Sequence, residues 1–197
     1  MAEMIRWGER LFLIPLAVMI IVRIIPHIGE HPHLLLFLLG ELLAVVLLLV
    51  QRRGDTAVDI YPISIAFIGT GGALLAIPTG VQLVPDSISL SLIAGGAAVS
   101  LAAKAFLGRS FGIVAANRGV KDSGIYRFVR HPMYLGYILS HIGFLTMYFS
   151  MPNIAVYAVV WSCFWLRAKE EEKILLRDPE YRAYASKVRF RLVPGLA

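Results

Sequence analysis

The sequence predicts an all-α membrane protein of about six transmembrane helices, with both termini in the cytoplasm. Three observations support this prediction: 58% of the 197 residues are hydrophobic, only 16% are charged, and the basic residues cluster in alternate connections between apolar stretches. A soluble domain carries about a quarter of its residues as charged side chains. The chain therefore has too little charge to cover a water-soluble globule, and its composition also excludes a disordered or collagen-like chain.

Six apolar stretches reach or approach the roughly 20 residues that a membrane-spanning helix needs. They are residues 11–28, 34–50, 60–77, 88–107, 134–149 and 154–166. The last two are short, and the four residues 150–153 between them predict a tight helical hairpin. Because backbone polar groups must be satisfied within lipid, each span is expected to be helical and no strands are expected.

The basic residues determine the expected orientation. Two arginines precede the first span, two follow the second, and larger groups follow the fourth and the sixth, whereas the connection 79–86 has none. By the positive-inside rule, both termini and the connection 108–131 are cytoplasmic. The net charge of +6 then predicts contact with anionic membrane lipids rather than with nucleic acid.

Two groups of small residues predict close helix packing. Gly69-Thr70-Gly71-Gly72 has the composition of a nucleotide-binding loop, but it lies within a span and follows no strand. We therefore expect these residues, together with Ser91, Gly95 and Gly96, to let neighbouring helices approach each other.

A metal site is not expected. His27, Glu30, His31 and His33 have the chemistry of metal ligands, but Pro32 interrupts any helix that would align them. An interfacial loop explains this segment better. The single cysteine, Cys163, excludes an internal disulfide and a zinc cluster of cysteines.

The connection before the fifth span holds the first candidate site. Pro132 suits the first turn of a helix, so Arg130 and His131 lie just ahead of that turn. Free backbone N–H groups and two basic side chains at a helix start predict a carboxylate or phosphate site. Tyr126 and Tyr134 flank it and could stack on a base or face a cation. An interfacial belt of aromatic and basic residues is the alternative.

A second candidate site follows the sixth span. Arg167 and Glu171 are four residues apart and share one helix face. The three glutamates 170–172 predict cation binding, with a solvated charge cluster as the alternative. The hairpin returns them close to His131, and an anion site beside a cation site suits a zwitterionic ligand such as an amino acid moiety. The basic, amphipathic tail 181–194 is expected to lie on the membrane surface and to cover this site.

Together these residues resemble the isoprenylcysteine carboxyl methyltransferase family, which includes related phospholipid methyltransferases. The matching pattern consists of Gly124, Tyr126, Arg130, His131, Pro132, Tyr134, Gly136, Arg167, Glu171, Glu172, Leu175, Tyr181, Tyr184, Arg191, Leu192 and Pro194. It covers residues 110–194 and looks like a prokaryotic-type member, which implies a multi-pass protein of the inner or plasma membrane. We therefore divide the chain into a transmembrane region, 1–109, and a methyltransferase module, 110–197.

The resemblance implies S-adenosylmethionine as the cofactor, bound at the cytoplasmic face without a Rossmann domain. Glu171 would receive the amino group of its methionine portion, and Arg167 would act as the catalytic residue that holds the carboxylate of the acceptor. The other implied cofactor-binding residues are Gly119, Val120, Tyr126, Arg130, His131, Pro132, Met133 and Tyr134.

The acceptor implied by the resemblance is a lipophilic small molecule or a lipidated molecule. A carboxylate is favoured, because it is already ionised at neutral pH and needs alignment rather than a base. A prenylcysteine-like carboxylate, a phospholipid amine and a small thiol all stay open. An NADPH-dependent reductase of the sterol-reductase type and a non-catalytic membrane module are the alternatives of another class. The Glu171-Glu172 pair is hard to reconcile with an anionic cofactor such as NADPH.

Overall fold

The computed structural model describes residues 1–30 and 34–192, and helices account for most of them. They are α1 (Ala2–Ile24), α2 (Leu34–Leu49), α3 (Ile60–Gly71), α4 (Asp86–Leu107), α5 (Pro132–Met147), α6 (Met151–Leu175) and α7 (Pro179–Lys187). The expected all-α class is confirmed, and each apolar stretch overlaps one of the first six helices. His31 and His33, which belong to the segment interpreted as an interfacial loop, lie outside the described residues, as does Pro194.

The clearest candidate for a membrane span is the segment Asp86–Ser110. In the described part of the chain it is the one helical segment with both the length and the apolar composition to cross a membrane. Leu34–Leu49 and Ile60–Leu75 are shorter apolar helices. The six-span topology and its orientation stay predictions.

The expectation that the chain has no strands is wrong at one place. Two-residue strands β1 (Asp55–Thr56) and β2 (Ala116–Asn117) form an antiparallel pair. Both strands lie in connections between helices, where neither backbone has helical hydrogen bonds. Each connection therefore satisfies the polar groups of the other, and the pair joins the α2–α3 connection to the long loop before α5.

Helices α4 and α5 approach each other closely through small residues. An added Cβ at Gly96 would lie 2.5 Å from the carbonyl oxygen of Gly136, and one at Gly136 would lie 2.6 Å from the carbonyl oxygen of Gly96. The packing role predicted for Gly96 is confirmed. The packing role predicted for Gly95 is wrong, because nothing lies within 4 Å of an added Cβ there. The prediction is also wrong for Ser91, because its exposed hydroxyl donates a hydrogen bond to the carbonyl oxygen of Ser87 in the same helix.

The glycines of α3 also serve packing, as the sequence predicts. An added Cβ at Gly69 would lie 3.2 Å from Cβ of Cys163 on α6, and one at Gly72 would lie 3.0 Å from Val160 Cγ2. This close approach brings Thr70 next to Arg167, so α3 contributes directly to the candidate site.

The predicted helical hairpin between α5 and α6 is confirmed. Asn153, which is fully buried, donates through Nδ2 to the carbonyl oxygens of Tyr148 (2.8 Å) and Ile77 (2.9 Å). Its Oδ1 accepts a hydrogen bond from the backbone N–H of Ile77 at 3.0 Å. One side chain thus ties the hairpin turn to the segment after α3, and the hairpin returns α6 to the start of α5.

Candidate functional site

A polar cavity, called here the first cavity, lies where α5 begins, α6 ends and α7 crosses them. Eight of the predicted cofactor-binding residues line it, namely Gly119, Val120, Tyr126, Arg130, His131, Met133, Tyr134 and Glu171. Pro132 is buried in the first turn of α5 and is not part of its lining. Residues from two distant parts of the sequence therefore meet at one site.

His131 connects the two glutamates at the edge of the first cavity. Its Nδ1 lies 3.2 Å from Glu171 Oε2, and its Nε2 lies 3.2 Å from Glu172 Oε1. The hydroxyl of Tyr134 donates to Glu171 Oε1 at 3.1 Å. The predicted closeness of the glutamates to His131 is confirmed.

These contacts determine the charge of the cluster. Burial alone would lower the pKa of His131, but the hydrogen bonds that His131 donates to the carboxylates of Glu171 and Glu172 outweigh this effect and raise that pKa above its ordinary value. Burial likewise opposes ionisation of Glu171, yet His131 and Arg167 hold the pKa of this carboxyl below its usual range. Glu171 therefore stays ionised at neutral pH, as a partner for an ammonium group must.

Arg130 holds the C-terminal tail instead of presenting a free cation. Its Nε donates to Glu172 Oε1 at 2.8 Å, and its Nη1 donates to the carbonyl oxygen of Val188 at 3.1 Å. Arg191 donates to Glu172 Oε2 at 2.9 Å. The two arginines and His131 lower the pKa of Glu172 to about 2, against the opposing effect of its burial.

The tail also pairs with the backbone at the start of α5. The N–H groups of Arg130 and His131 donate to the carbonyl oxygens of Phe190 and Arg191, both at 2.9 Å. These amides are therefore not available for the carboxylate or phosphate site that the sequence predicts there. The reason is that the tail supplies its own carbonyl groups to the same donors.

Helix α7 closes one side of the first cavity. Tyr181 and Tyr184 are buried and line it. The hydroxyl of Tyr184 donates to the carbonyl oxygen of Tyr126 at 2.7 Å. The predicted covering role of the tail is thus observed for α7, over the same segment that contains the Arg-His-Pro motif.

Glu9 of α1 holds the loop between α4 and α5 through hydrogen bonds to its backbone. Glu9 is fully buried, and its Oε1 accepts hydrogen bonds from the backbone N–H groups of Ile113 (2.8 Å) and Val114 (2.6 Å). Gln51 donates to Glu9 Oε2 at 3.1 Å. The sequence analysis missed this contact, because a glutamate among the polar residues that begin α1 looks like an ordinary surface residue.

Arg118, which was not predicted from the sequence, and Tyr181, which belongs to the matching pattern, both line the first cavity. Arg118 Nε and Nη2 and the Tyr181 hydroxyl are buried, with no hydrogen-bond partner among residues 1–30 and 34–192. Arg118 Nη2 lies 3.9 Å from Glu9 Oε1, which partly balances its charge. Such unpaired buried groups are costly, so a polar ligand in this cavity would find donors that the protein leaves unused.

A second cavity, mainly apolar, lies among the first six helices and contains Arg167. It is lined by Leu13, Leu16, Ile20, Phe37, Glu41, Ala44, Gly69, Thr70, Ala73, Leu74, Lys104, Phe111, Gly112, Ile113, Met133, Tyr137, His141, Phe164 and Arg167. Arg167 donates to Thr70 Oγ1 at 3.1 Å and to the carbonyl oxygen of Ile113 at 2.7 Å. Its guanidinium lies over the ring of Tyr134, 5.1 Å from the centroid.

Gly112 and Met133 line both cavities. Glu171 faces the first cavity and Arg167, one helical turn earlier on α6, faces the second. The two cavities are therefore adjacent, with Gly112 and Met133 at the boundary between them. The arrangement suits a reaction between a polar molecule and an apolar one.

Comparison with known proteins agrees with this arrangement. Residues 88–181 match the phospholipid methyltransferase family. No curated protein and no solved structure matches the chain. The family match covers just under half of the chain, begins within α4 and ends in α7, and so includes most residues of the first cavity. It supports placing the protein in the broad family of membrane methyltransferases.

Proposed function

We propose that the protein transfers a methyl group from S-adenosylmethionine to the carboxylate of a lipidic acceptor, such as a prenylcysteine-like molecule. The observation that carries this proposal is the meeting of a polar cavity, lined by Glu171, with an apolar cavity, lined by Arg167, at Gly112 and Met133. The multi-pass topology, a cytoplasmic first cavity and the module boundary at residue 109 are parts of the same proposal.

The residues of the first cavity fit the proposed cofactor. Glu171 offers an ionised carboxylate for the amino group, and the unpaired nitrogens of Arg118 can hold the carboxylate of the same methionine portion. The Tyr181 hydroxyl and the rings of Tyr126 and Tyr184 offer a polar atom and flat surfaces for the nucleoside. The cavity thus supplies an opposite charge for each charge of an amino acid group.

The chemistry asks the protein for alignment rather than for acid–base catalysis. S-adenosylmethionine supplies a methyl group that its sulfonium already activates. The acceptor oxygen forms the new bond to the methyl carbon, the bond from that carbon to sulfur breaks, and its electron pair stays on sulfur, so no proton moves. Arg167 would orient the carboxylate, and the apolar walls would exclude water from the reacting atoms.

A methyl-transfer assay tests the acceptor class. The purified protein would be incubated with methyl-labelled cofactor and N-acetyl-S-farnesylcysteine in detergent. We expect labelled methanol to be released when the product is treated with base, as a methyl ester requires. Arg167→Ala should lower this turnover at least about 100-fold while S-adenosylhomocysteine still binds.

Arg189→Ala is the matched control, because Arg189 is exposed and lines neither cavity. Arg167→Lys keeps the charge and should restore part of the turnover. If Arg167→Ala forms the ester at the normal rate, the role assigned to Arg167 is wrong.

The family match favours methylation of a phospholipid amine as a second candidate. This reaction would need a group that removes a proton from the amine, and the product would be stable to base. A base-stable labelled lipid formed from phosphatidylethanolamine, with no ester from the carboxylate probe, would select this candidate.

A further inference from the structure

The second cavity contains another buried basic residue besides Arg167, namely Lys104. Lys104 is only 3% exposed, although it lies near the end of α4. The ammonium Nζ donates to the carbonyl oxygen of Gly40 at 3.1 Å and lies 5.6 Å from the centroid of the Tyr137 ring. In the described part of the chain no carboxylate lies within ion-pair distance of it.

This environment leaves the charge of Lys104 incompletely satisfied. An ammonium group has three donors, and Gly40 accepts one of them. A contact with an aromatic ring stabilises a cation only modestly, and it does not compensate for the burial of a charge without an ionised partner. Because Lys104 lines the second cavity, its remaining donors are available to a molecule bound there.

The two basic residues of the second cavity, Lys104 and Arg167, both contact tyrosine rings of α5. Lys104 contacts Tyr137 and Arg167 contacts Tyr134. These tyrosines are three residues apart on α5, which corresponds to about 4.5 Å along the helix axis. Both rings also pack against Phe164, with centroid distances of 5.2 Å for Tyr134 and 5.7 Å for Tyr137. Lys104 and Arg167 therefore each contact a tyrosine of α5 that packs against Phe164, at neighbouring levels along that helix.

We propose that Lys104 and Arg167 together bind the head group of the acceptor, and that the acceptor is an amphiphile with a negatively charged head. This inference rests on the proposed function and adds to it Lys104 as a second residue that binds the acceptor. The apolar chain would lie against Leu13, Leu16 and Ile20 of α1. Among residues 1–30 and 34–192, Glu41 is the one carboxylate that lines the cavity, so an amine-bearing head would meet two cations and one carboxylate.

The proposal also explains how the product could leave. Esterification converts the acceptor carboxylate into a neutral group. The two cations then lose their anionic partner, while the apolar chain keeps its contacts. The ester should therefore bind more weakly than the acid.

A binding measurement tests the proposal. The protein, saturated with S-adenosylhomocysteine in detergent, would be titrated with N-acetyl-S-farnesylcysteine and separately with its methyl ester. We expect the acid to bind at least about tenfold more tightly than the ester. Lys104→Met should reduce this preference at least about threefold, and Lys104→Arg should retain it. Lys169→Met is the matched control, because Lys169 is exposed and lines neither cavity.

Equal affinity of the wild-type protein for acid and ester would overturn the proposal, and this comparison needs no variant to fold. A preference that survives unchanged in a Lys104→Met protein that still binds S-adenosylhomocysteine would overturn it too. Tighter binding of phosphatidylethanolamine than of the acid would contradict the substrate class. Failure of the wild-type protein to bind S-adenosylhomocysteine would instead contradict the proposed function.

Discussion

At the scale of single residues, Glu172 holds the C-terminal tail against the residues that precede α5. It accepts hydrogen bonds from Arg130 and Arg191 and contacts His131. Glu171, its neighbour, keeps part of its carboxylate at the cavity. The two adjacent glutamates thus have different roles: Glu172 holds the tail in place, and Glu171 lines the cavity while it contacts His131 and Tyr134.

The charges of this cluster predict a pH dependence of stability. The pKa of Glu172 falls from 4.5 to about 2, so its contribution to stability is complete above about pH 4.5 and is lost as the pH falls towards 2. The pKa of His131 is raised above 6.5, so its contribution is complete below pH 6.5 and is lost as the pH rises through the raised value. Thermal unfolding should show highest stability between these limits.

Glu172→Gln should lower the stability at pH 5.5 by about 2 kcal/mol, because Arg130 and Arg191 lose their ionised partner. It should also flatten the profile on both sides of the maximum. A variant profile parallel to that of the wild-type protein would show that this cluster does not control the pH dependence.

At the scale of helices, the site depends on how closely α4 approaches α5. The small residues 96 and 136 allow backbone contact between the two helices. This contact fixes the start of α5, and with it His131, against the part of α4 that contains Lys104. The sequence indicated close packing, but it could not distinguish Gly96 from Gly95, because both glycines lie within the same apolar helix and only the rotation of that helix decides which one faces α5.

This difference gives a direct test. Gly96→Ala should destabilise the protein by about 1–3 kcal/mol, because the new Cβ would overlap Gly136 and Ser140. In a chain of this size each kcal/mol corresponds to about 2–4 °C in the midpoint of thermal unfolding.

Gly95→Ala introduces the same methyl group one position earlier, where nothing lies within 4 Å. It should leave the midpoint unchanged or raise it, since alanine favours a helix by up to about 1 kcal/mol over glycine. Equal effects of the two substitutions would contradict the observed α4–α5 packing.

At the scale of the whole molecule, the sequence predicted most of the residues that line the first cavity but few of the distant residues that hold them in place. The helices, the hairpin and most of the residues around the first cavity follow from apolar runs and from one local motif. Glu9, Arg118 and Lys104 did not, because each acts through a partner at least 40 residues away or through a cavity that only the packed helices form. A lone charged residue near the end of an apolar run looks the same whether it faces water or a cavity.

The N-terminal helices, whose role could not be predicted from the sequence, contribute residues that support the candidate site. Helix α1 supports the loop 112–118 through Glu9 and provides apolar walls for the second cavity. Helix α3 supplies Thr70 as a partner of Arg167. The candidate site therefore depends on the whole chain rather than on residues 110–197 alone.

The most direct test of the central claim is calorimetric titration of the detergent-purified protein with S-adenosylhomocysteine and, separately, with NADPH. We expect S-adenosylhomocysteine alone to bind, and Glu171→Gln to weaken its binding at least about tenfold through loss of one charged contact. Glu170→Gln should bind like the wild-type protein, because Glu170 pairs with Lys173 and lines neither cavity. Binding of NADPH alone, or of neither compound, would contradict the methyltransferase account, and unchanged affinity in folded Glu171→Gln would remove Glu171 from the site.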